Sequence, residues 1–277
     1  MILVDAHVHI YSCFDLQIFF DAAFENFQEE AVRNGQGNGF AAVLLLADWS
    51  GQNWFQRLVH NCDDGCGTGS KAIGNWTFHR TDESGSLYLQ RRDGKGLLLI
   101  SGCKIITAEN LEVLALATER VFEEGTSLEE AIQTIKENGA IPVIPWAAGK
   151  WMGRRGKILE NLLESAKVSD FFLCDNRNRP VFWPRPYHFK LAEKRGIRVL
   201  SGSDPLNFAS EACRVGSFGF SVQGPINHKQ PIKDLRQILL DRTTTFELYG
   251  HLENPYWFFR NQLGIQILKR RRKKGLV

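Results

Sequence analysis

Short apolar runs alternate along the chain with segments in which apolar residues recur at helical spacing. The short runs predict β-strands, because they are rich in Val, Ile and Leu and bounded by Gly, Pro or polar residues. The predicted strands are residues 2–4, 41–47, 96–106, 111–117, 140–145, 170–174 and 197–201. The predicted helices are residues 16–33, 128–138, 157–166 and 189–195.

Local signals mark several helix ends. Ser127 followed by Glu130 is typical of a capping box, and Gly139 and Gly196 stand where helix C-caps are expected. Continuous apolar strands separated by helices predict a parallel sheet covered on both faces. About seven such strands indicate an α/β fold in which the sheet forms a closed or nearly closed barrel.

Length and spacing predict one barrel domain over residues 1–250 of the 277-residue chain. Residues 62–92 look inserted, because a Gly-rich stretch precedes a probable hairpin formed by residues 76–80 and 87–91. Residues 251–277 are expected to form a C-terminal helix and a basic tail. The six cysteines are scattered and are expected to be reduced. Cys62 and Cys66 could bind a metal or form a small disulfide loop.

The net charge of +3 is concentrated at one end of the chain. Residues 269–274 supply six positive charges, so the remainder has a net charge of −3. A protein that binds nucleic acid specifically would carry basic residues over its body, and we do not expect one here. The tail is either a solvated terminus or a contact for an anionic surface. No apolar run is long enough to cross a membrane and no signal peptide is evident, so a cytoplasmic location is expected.

Asp5, His7 and His9 alternate at the end of the first apolar run. Alternate residues of a strand share a face, so the three side chains are expected to project together. Two neutral imidazoles at this spacing commonly bind one divalent metal. The alternative is a pair of hydrogen-bonded core histidines.

Functional groups of α/β barrels gather at the carboxyl ends of the strands. Such ends carry the two histidines and a further set of polar or aromatic residues: Asp48, Lys104, Trp146, Asn176 and Asp204. Asp204 follows the last predicted strand, where its carboxylate can face His7 and His9.

Asp5-Ala-His7-Val-His9 together with Gly202-Ser-Asp204 resembles the polymerase and histidinol phosphatase (PHP) superfamily, and more distantly the amidohydrolases. The resemblance spans roughly residues 1–215 and implies a distorted (β/α)7 TIM-like barrel. It also implies that His7, His9 and Asp204 are metal ligands. Other family ligands are replaced: the corresponding positions carry Trp49, Lys104, Pro145 and Leu206. Three ligands suffice for one Zn or Mn ion, not for three ions.

Further residues are assigned to catalysis and substrate binding. Asp204 or Asp48 is expected to assist proton transfer. Lys104 either takes the place of a lost metal and binds an anion or, when carboxylated, bridges two metals. Glu109 and Glu112 are possible substitute ligands, although an exposed strand face explains Glu112 equally well.

A basic, Gly-rich loop follows the strand at residues 140–145 and leads into a helix. Main-chain amides at a helix N-terminus bind anions, and neighbouring Lys or Arg residues add charge. The expected substrate-binding residues are Lys150, Arg154, Arg155, Asn176, Arg179 and Trp146. A solvated basic loop is the alternative.

These observations together predict a metal-dependent hydrolase that acts on a small anionic substrate such as a phosphoester. Two alternatives remain open. The first is a degenerate PHP-like barrel that binds a ligand or partner without catalysis, and the second is an amidohydrolase that acts on a C–N bond.

Overall fold

A computed structural model of the chain describes residues 1–37, 39–49, 51–62, 72–165 and 171–273. Cys66, most of the Gly-rich stretch and the last residue of the basic run lie outside the described residues. The described cysteines are Cys13, Cys62, Cys103, Cys174 and Cys213, and they are free thiols. No described helix is long and apolar enough to cross a membrane.

Thirteen strands and seven α-helices are described. The strands are β1 (Ile2–Val8), β2 (Ala41–Leu46), β3 (Asp48–Trp49), β4 (Trp76–Arg80), β5 (Ser86–Arg91), β6 (Gly96–Ile100), β7 (Gly102–Ile106), β8 (Glu112–Leu116), β9 (Ile141–Pro145), β10 (Phe172–Asn176), β11 (Val199–Gly202), β12 (Phe218–Val222) and β13 (Glu247–Gly250). The helices are α1 (Leu16–Arg33), α2 (Trp54–Val59), α3 (Leu128–Glu137), α4 (Gly153–Ser165), α5 (Tyr187–Lys194), α6 (Pro231–Leu240) and α7 (Pro255–Lys273), with a 3-10 helix at Ala209–Arg214.

The strands form two sheets that together make up a distorted, incompletely closed barrel. The sheet orders are β13-β12-β1-β2-β6-β5-β4 and β11-β10-β9-β8-β7-β3. Chain continuity joins the sheets, because β2 runs on into β3 and β6 runs on into β7. Within the described strands, no ladder joins β1 to β11. β1 and the segment after β11 meet there through contacts that include a 2.8 Å hydrogen bond from the Asp204 N–H to the His7 carbonyl.

One part of the predicted sheet is wrong. β8 is antiparallel to both β7 and β9, whereas the sequence pattern predicted parallel strands throughout. The segment between β7 and β8 is only a tight turn, in which Asn110 has a φ of 58°. A parallel connection needs a crossover of a dozen or more residues, so this short link forces an antiparallel pair.

Most of the predicted local structure is confirmed. The four predicted helices correspond to α1, α3, α4 and α5, and the hairpin in the inserted segment is β4–β5. The Ser127 hydroxyl accepts the Glu130 N–H at 3.3 Å, as a capping residue does. Gly139 and Gly196 have φ values of 74° and 75°, which L side chains rarely adopt. The barrel interior is filled by apolar residues that include Val4, Val43, Leu114, Val143 and Leu200.

Asp5 ties the first strand to two distant segments. Its carboxylate is fully buried and accepts N–H groups from Ser203 at 2.8 Å, Gly216 at 2.9 Å and His7 at 3.3 Å. Burial raises the pKa of Asp5 to about 6, although these hydrogen bonds oppose the shift. Asp5 therefore satisfies buried backbone donors and holds the end of β11 against β1.

Replacing Asp5 with Ala should destabilise the protein strongly, because three buried N–H groups would lose their acceptor. We expect the free energy of unfolding to fall by about 3–5 kcal/mol, measured by urea denaturation. The exposed Asp82 is the control, and Asp82→Ala should change this free energy by less than about 0.5 kcal/mol. Equal effects of the two substitutions would contradict the role given to Asp5.

Candidate metal centre

A strand irregularity in β1 sets the direction of the two histidines. The β1–β2 register shifts between Asp5 and Val8. Leu3 and Val8 consequently pack in one cluster against α1, although residues five apart in a regular strand face opposite sides. The Asp5 carboxylate is directed at backbone N–H groups of Ser203 and Gly216, whereas the Nε2 atoms of His7 and His9 are directed at Asp204.

His7, His9 and Asp204 converge at one end of the barrel. The two Nε2 atoms are 3.0 Å apart, and they lie 3.6 Å (His7) and 3.5 Å (His9) from Asp204 Oδ1. A tetrahedral zinc ion with ligands at about 2.0–2.1 Å separates its ligand atoms by about 3.3 Å. The three atoms thus have the spacing that one tetrahedrally coordinated ion requires, and among the described residues they form a cluster suited to a metal.

Both imidazoles are held in the neutral form that binds metals. Burial lowers the pKa of His7 to about 3 and lowers the pKa of His9 well below its usual value. His9 Nδ1 lies 2.6 Å from the Ala47 carbonyl, to which it can donate a proton. This hydrogen bond leaves the Nε2 lone pair of His9 directed at His7 and Asp204. His7 Nδ1 is buried without a hydrogen-bond partner in the described part of the chain.

Two asparagines orient the Asp204 carboxylate. Asn176 and Asn178 donate to Asp204 Oδ2 at 2.9 and 3.2 Å, and Asn178 also donates to the Asp204 carbonyl at 2.6 Å. Asp204 has a φ of 44°, which a non-glycine residue keeps only when its surroundings hold it. Burial raises the pKa of Asp204 to about 8, and the charge of Glu112 adds to this effect. Oδ1 remains directed at the imidazoles, where a cation would favour the ionised carboxylate.

His9 and Asp204 open onto a cavity of about 560 Å³. Its lining includes His9, Asp204, Asn176 and Trp146, and side chains of α7 border it. A cavity of this size accommodates a small organic molecule.

Two lysines and a glutamate form a charged group in the same cavity. Glu112 Oε1 accepts Lys150 Nζ at 2.6 Å and lies 3.9 Å from Lys104 Nζ. Burial would raise the pKa of Glu112, but the two ammonium groups outweigh it and the pKa is lowered. Lys104 Nζ also lies 5.1 Å from the centre of the Trp49 ring. Glu112 is thus a half-buried cavity residue, so the exposed strand face offered as its alternative explanation is wrong.

Several residues expected at the site are engaged elsewhere. Asp48 accepts the Phe55 N–H at 3.0 Å, at the start of α2. Arg154 is exposed, and Arg155 donates to the Gly149 carbonyl at 2.9 Å. Arg179 donates through Nε and a terminal nitrogen to the buried Asp175 carboxylate, the shorter contact being 2.6 Å. None of these four residues lines the described cavity.

Sequence reasoning missed other contributors to the site. Asn178, in the loop after β10, was not among the residues expected at the site. The cavity side of α7 was also missed, although Gln262 and Gln266 border the cavity. Their spacing of four residues on a predicted helix would have placed them on one face.

Comparisons with known proteins find solved structures of similar fold but assign the chain to no family. No model of a known protein family matches the chain, and no curated protein is similar to it. The structure is similar to that of PsfC from Pseudomonas syringae PB-5123, with 14% sequence identity over 96% of this chain and 98% of PsfC and a TM-score of 0.55. At this identity the similarity extends to the fold alone.

Two further solved structures are less similar. One is the lesion-specific endonuclease PfuEndoQ from Pyrococcus furiosus, with 12% identity over 89% of this chain and 57% of that chain and a TM-score of 0.47. The other, from Bacteroides vulgatus, is a two-domain protein containing a predicted PHP-like metal-dependent phosphoesterase, with 14% identity over 90% of this chain and 64% of that chain and a TM-score of 0.44. A protein containing a predicted PHP-like metal-dependent phosphoesterase is thus among the structural neighbours.

The contacts of Arg179 predict that its removal affects stability more than ligand binding. Arg179→Ala leaves the buried Asp175 carboxylate without its partner, so we expect the free energy of unfolding to fall by about 3–5 kcal/mol. Thermal and urea denaturation measure this change. Arg154→Ala, at an exposed site, is the control and should have little effect. A stable Arg179→Ala protein with weakened phosphate binding would instead support a substrate-binding role.

Proposed function

We propose that the protein is a metal-dependent hydrolase that acts on a small anionic substrate such as a phosphoester. The convergence of two neutral imidazole nitrogens and one carboxylate oxygen at distances of 3.0–3.6 Å carries this proposal. Such a donor set suits one Zn or Mn ion and leaves a coordination position open, as hydrolytic metal sites do.

His7 and His9 would hold the ion through Nε2, and Asp204 would hold it through Oδ1. When bound, a divalent ion of this kind lowers the pKa of water and polarises the bond to be cleaved. The chain itself supplies the neutral tautomer of His9 through Ala47 and the orientation of Asp204 through its two asparagines.

Lys104 and Lys150 are the residues we propose to bind the anionic group. Both line the cavity, and Glu112 neutralises only one of the two positive charges. An incoming phosphate can therefore interact with an excess of positive charge without displacing Glu112. Asp204 and Glu112 line the cavity and are better placed than Asp48 to accept a proton from water.

A barrel that binds a ligand without catalysis is the second candidate. Trp49, Lys104 and Leu206 border the cavity in segments where the resembled family has metal ligands. These side chains restrict the site to fewer ions than the family uses. Metal binding without turnover of any aryl phosphate or amide would favour this candidate, and turnover of an amide alone would favour an amidohydrolase.

Removing either histidine should abolish stoichiometric metal binding. His7→Ala and His9→Ala each leave two ligands, too few to retain an ion against dialysis. Elemental analysis after loading with zinc or manganese should find about one ion per chain in the wild type and none in these variants. His251 is exposed, and the control His251→Ala should bind like the wild type. A wild-type protein with no metal and no thermal shift on metal addition would contradict the proposal.

Removing Lys150 should weaken anion binding. A charge-assisted hydrogen bond contributes about 1.5–3 kcal/mol, so Lys150→Ala should raise the dissociation constant for phosphate roughly tenfold to a hundredfold. Calorimetric titration with inorganic phosphate measures this constant. Arg154→Ala is the matched control, because Arg154 belongs to the same basic segment but lies outside the cavity. An equal loss of phosphate affinity in both variants would instead place the phosphate-binding site on the exposed basic loop.

A further inference from the structure

Helix α7 exposes an apolar stripe on the side that faces away from the barrel. Tyr256, Phe259, Leu263 and Ile267 follow one another at intervals of three or four residues, so they share one face of the helix. Their exposed fractions are 69%, 57%, 65% and 51%. Outside the helix, the half-exposed Phe182 ring stacks on Phe259 with centroids 5.8 Å apart and extends the stripe.

The opposite face of α7 is already engaged by the protein. Phe258 and Asn261 are buried, and Asn261 donates to Glu211 at 3.2 Å. A Cβ atom on Gly264 would lie 2.7 Å from the Phe208 ring, so the helix packs closely there. Because these contacts fix the helix, the apolar stripe cannot turn inward without breaking them. Only an external partner can therefore shield this apolar surface from water.

Positive charge accompanies the stripe. α7 contains no acidic residue, and its cations are Arg260 and residues 269–273. The exposed Arg270 lies on the same side as the stripe by helical spacing, and Arg260 lies 4.7 Å from the centre of the Trp257 ring. An exposed aromatic and aliphatic face beside a basic helix end can contact both the acyl region and the acidic headgroups of an anionic lipid surface.

We propose that the outer face of α7 binds the surface of an anionic lipid bilayer. Tyr256, Phe259, Leu263 and Ile267 would enter the interface between headgroups and acyl chains, and Arg270 would contact acidic headgroups. Charge complementarity favours this occupant over a second copy of the chain, because a symmetric pairing would bring the basic helix into a common interface. The proposal does not depend on the hydrolase activity.

Vesicle flotation tests the proposal. The full chain should float with vesicles of phosphatidylcholine mixed with phosphatidylglycerol, bind far less to phosphatidylcholine alone, and be released by high salt. Leu263→Glu should lower the partition coefficient roughly tenfold or more, because a carboxylate would enter the apolar interface. Arg270→Glu should weaken binding to the anionic vesicles but not the residual binding to neutral ones.

Val121 provides the matched control, because it is 79% exposed and lies outside α7. Val121→Glu should float like the wild type, and circular dichroism should verify that all variants are folded. Equal flotation of wild type and Leu263→Glu, or none of either, would overturn the proposal. Two other results would also overturn the proposal, because they would assign this face to another partner. One is a wild-type dimer that Leu263→Glu abolishes and the control does not. The other is binding of single-stranded DNA that is lost in Leu263→Glu, with no binding to vesicles.

Discussion

The contact between the first strand and the end of β11 determines the geometry of the site. The Asp5 carboxylate accepts the Ser203 N–H, and the His7 carbonyl accepts the Asp204 N–H. Gly202 makes this approach possible, since a Cβ atom there would lie 2.3 Å from the His7 backbone nitrogen. These contacts replace a regular ladder and bring Asp204 to the two histidines. A substitution that loosens the junction would separate the candidate ligands even if every ligand were still present.

The buried Nε2 atoms of His7 and His9 lie within hydrogen-bond distance of each other, at 3.0 Å, beside a carboxylate whose pKa burial raises to about 8. Polar groups removed from water destabilise a fold unless they find partners. A divalent ion would satisfy all three ligand atoms at once, and Asn176 and Asn178 already satisfy the other oxygen of the carboxylate. These distances and the burial of the three groups fit the divalent ion proposed above.

The sequence could predict the parts of the structure that depend on local pattern. Helical spacing located α1 and α3. The positions of His7, His9 and Asp204 at predicted strand ends indicated that these three residues converge. The antiparallel β8 was missed because its strand pattern resembles that of a parallel strand, and only the short turn at Asn110 distinguishes it. Arg179 illustrates a different limit: its charge suggested a ligand for an anion, but its partner Asp175 depends on how the loop after β10 folds. Side-chain pairing of this kind is a property of the three-dimensional structure.

Anomalous diffraction from crystals grown with zinc would test the central claim most directly. The account predicts one peak at the zinc edge, coordinated by His7 Nε2, His9 Nε2 and Asp204 Oδ1, with ligand distances of about 2.0–2.2 Å. A map without a peak at these three residues, or with zinc held only by other side chains, would contradict the account.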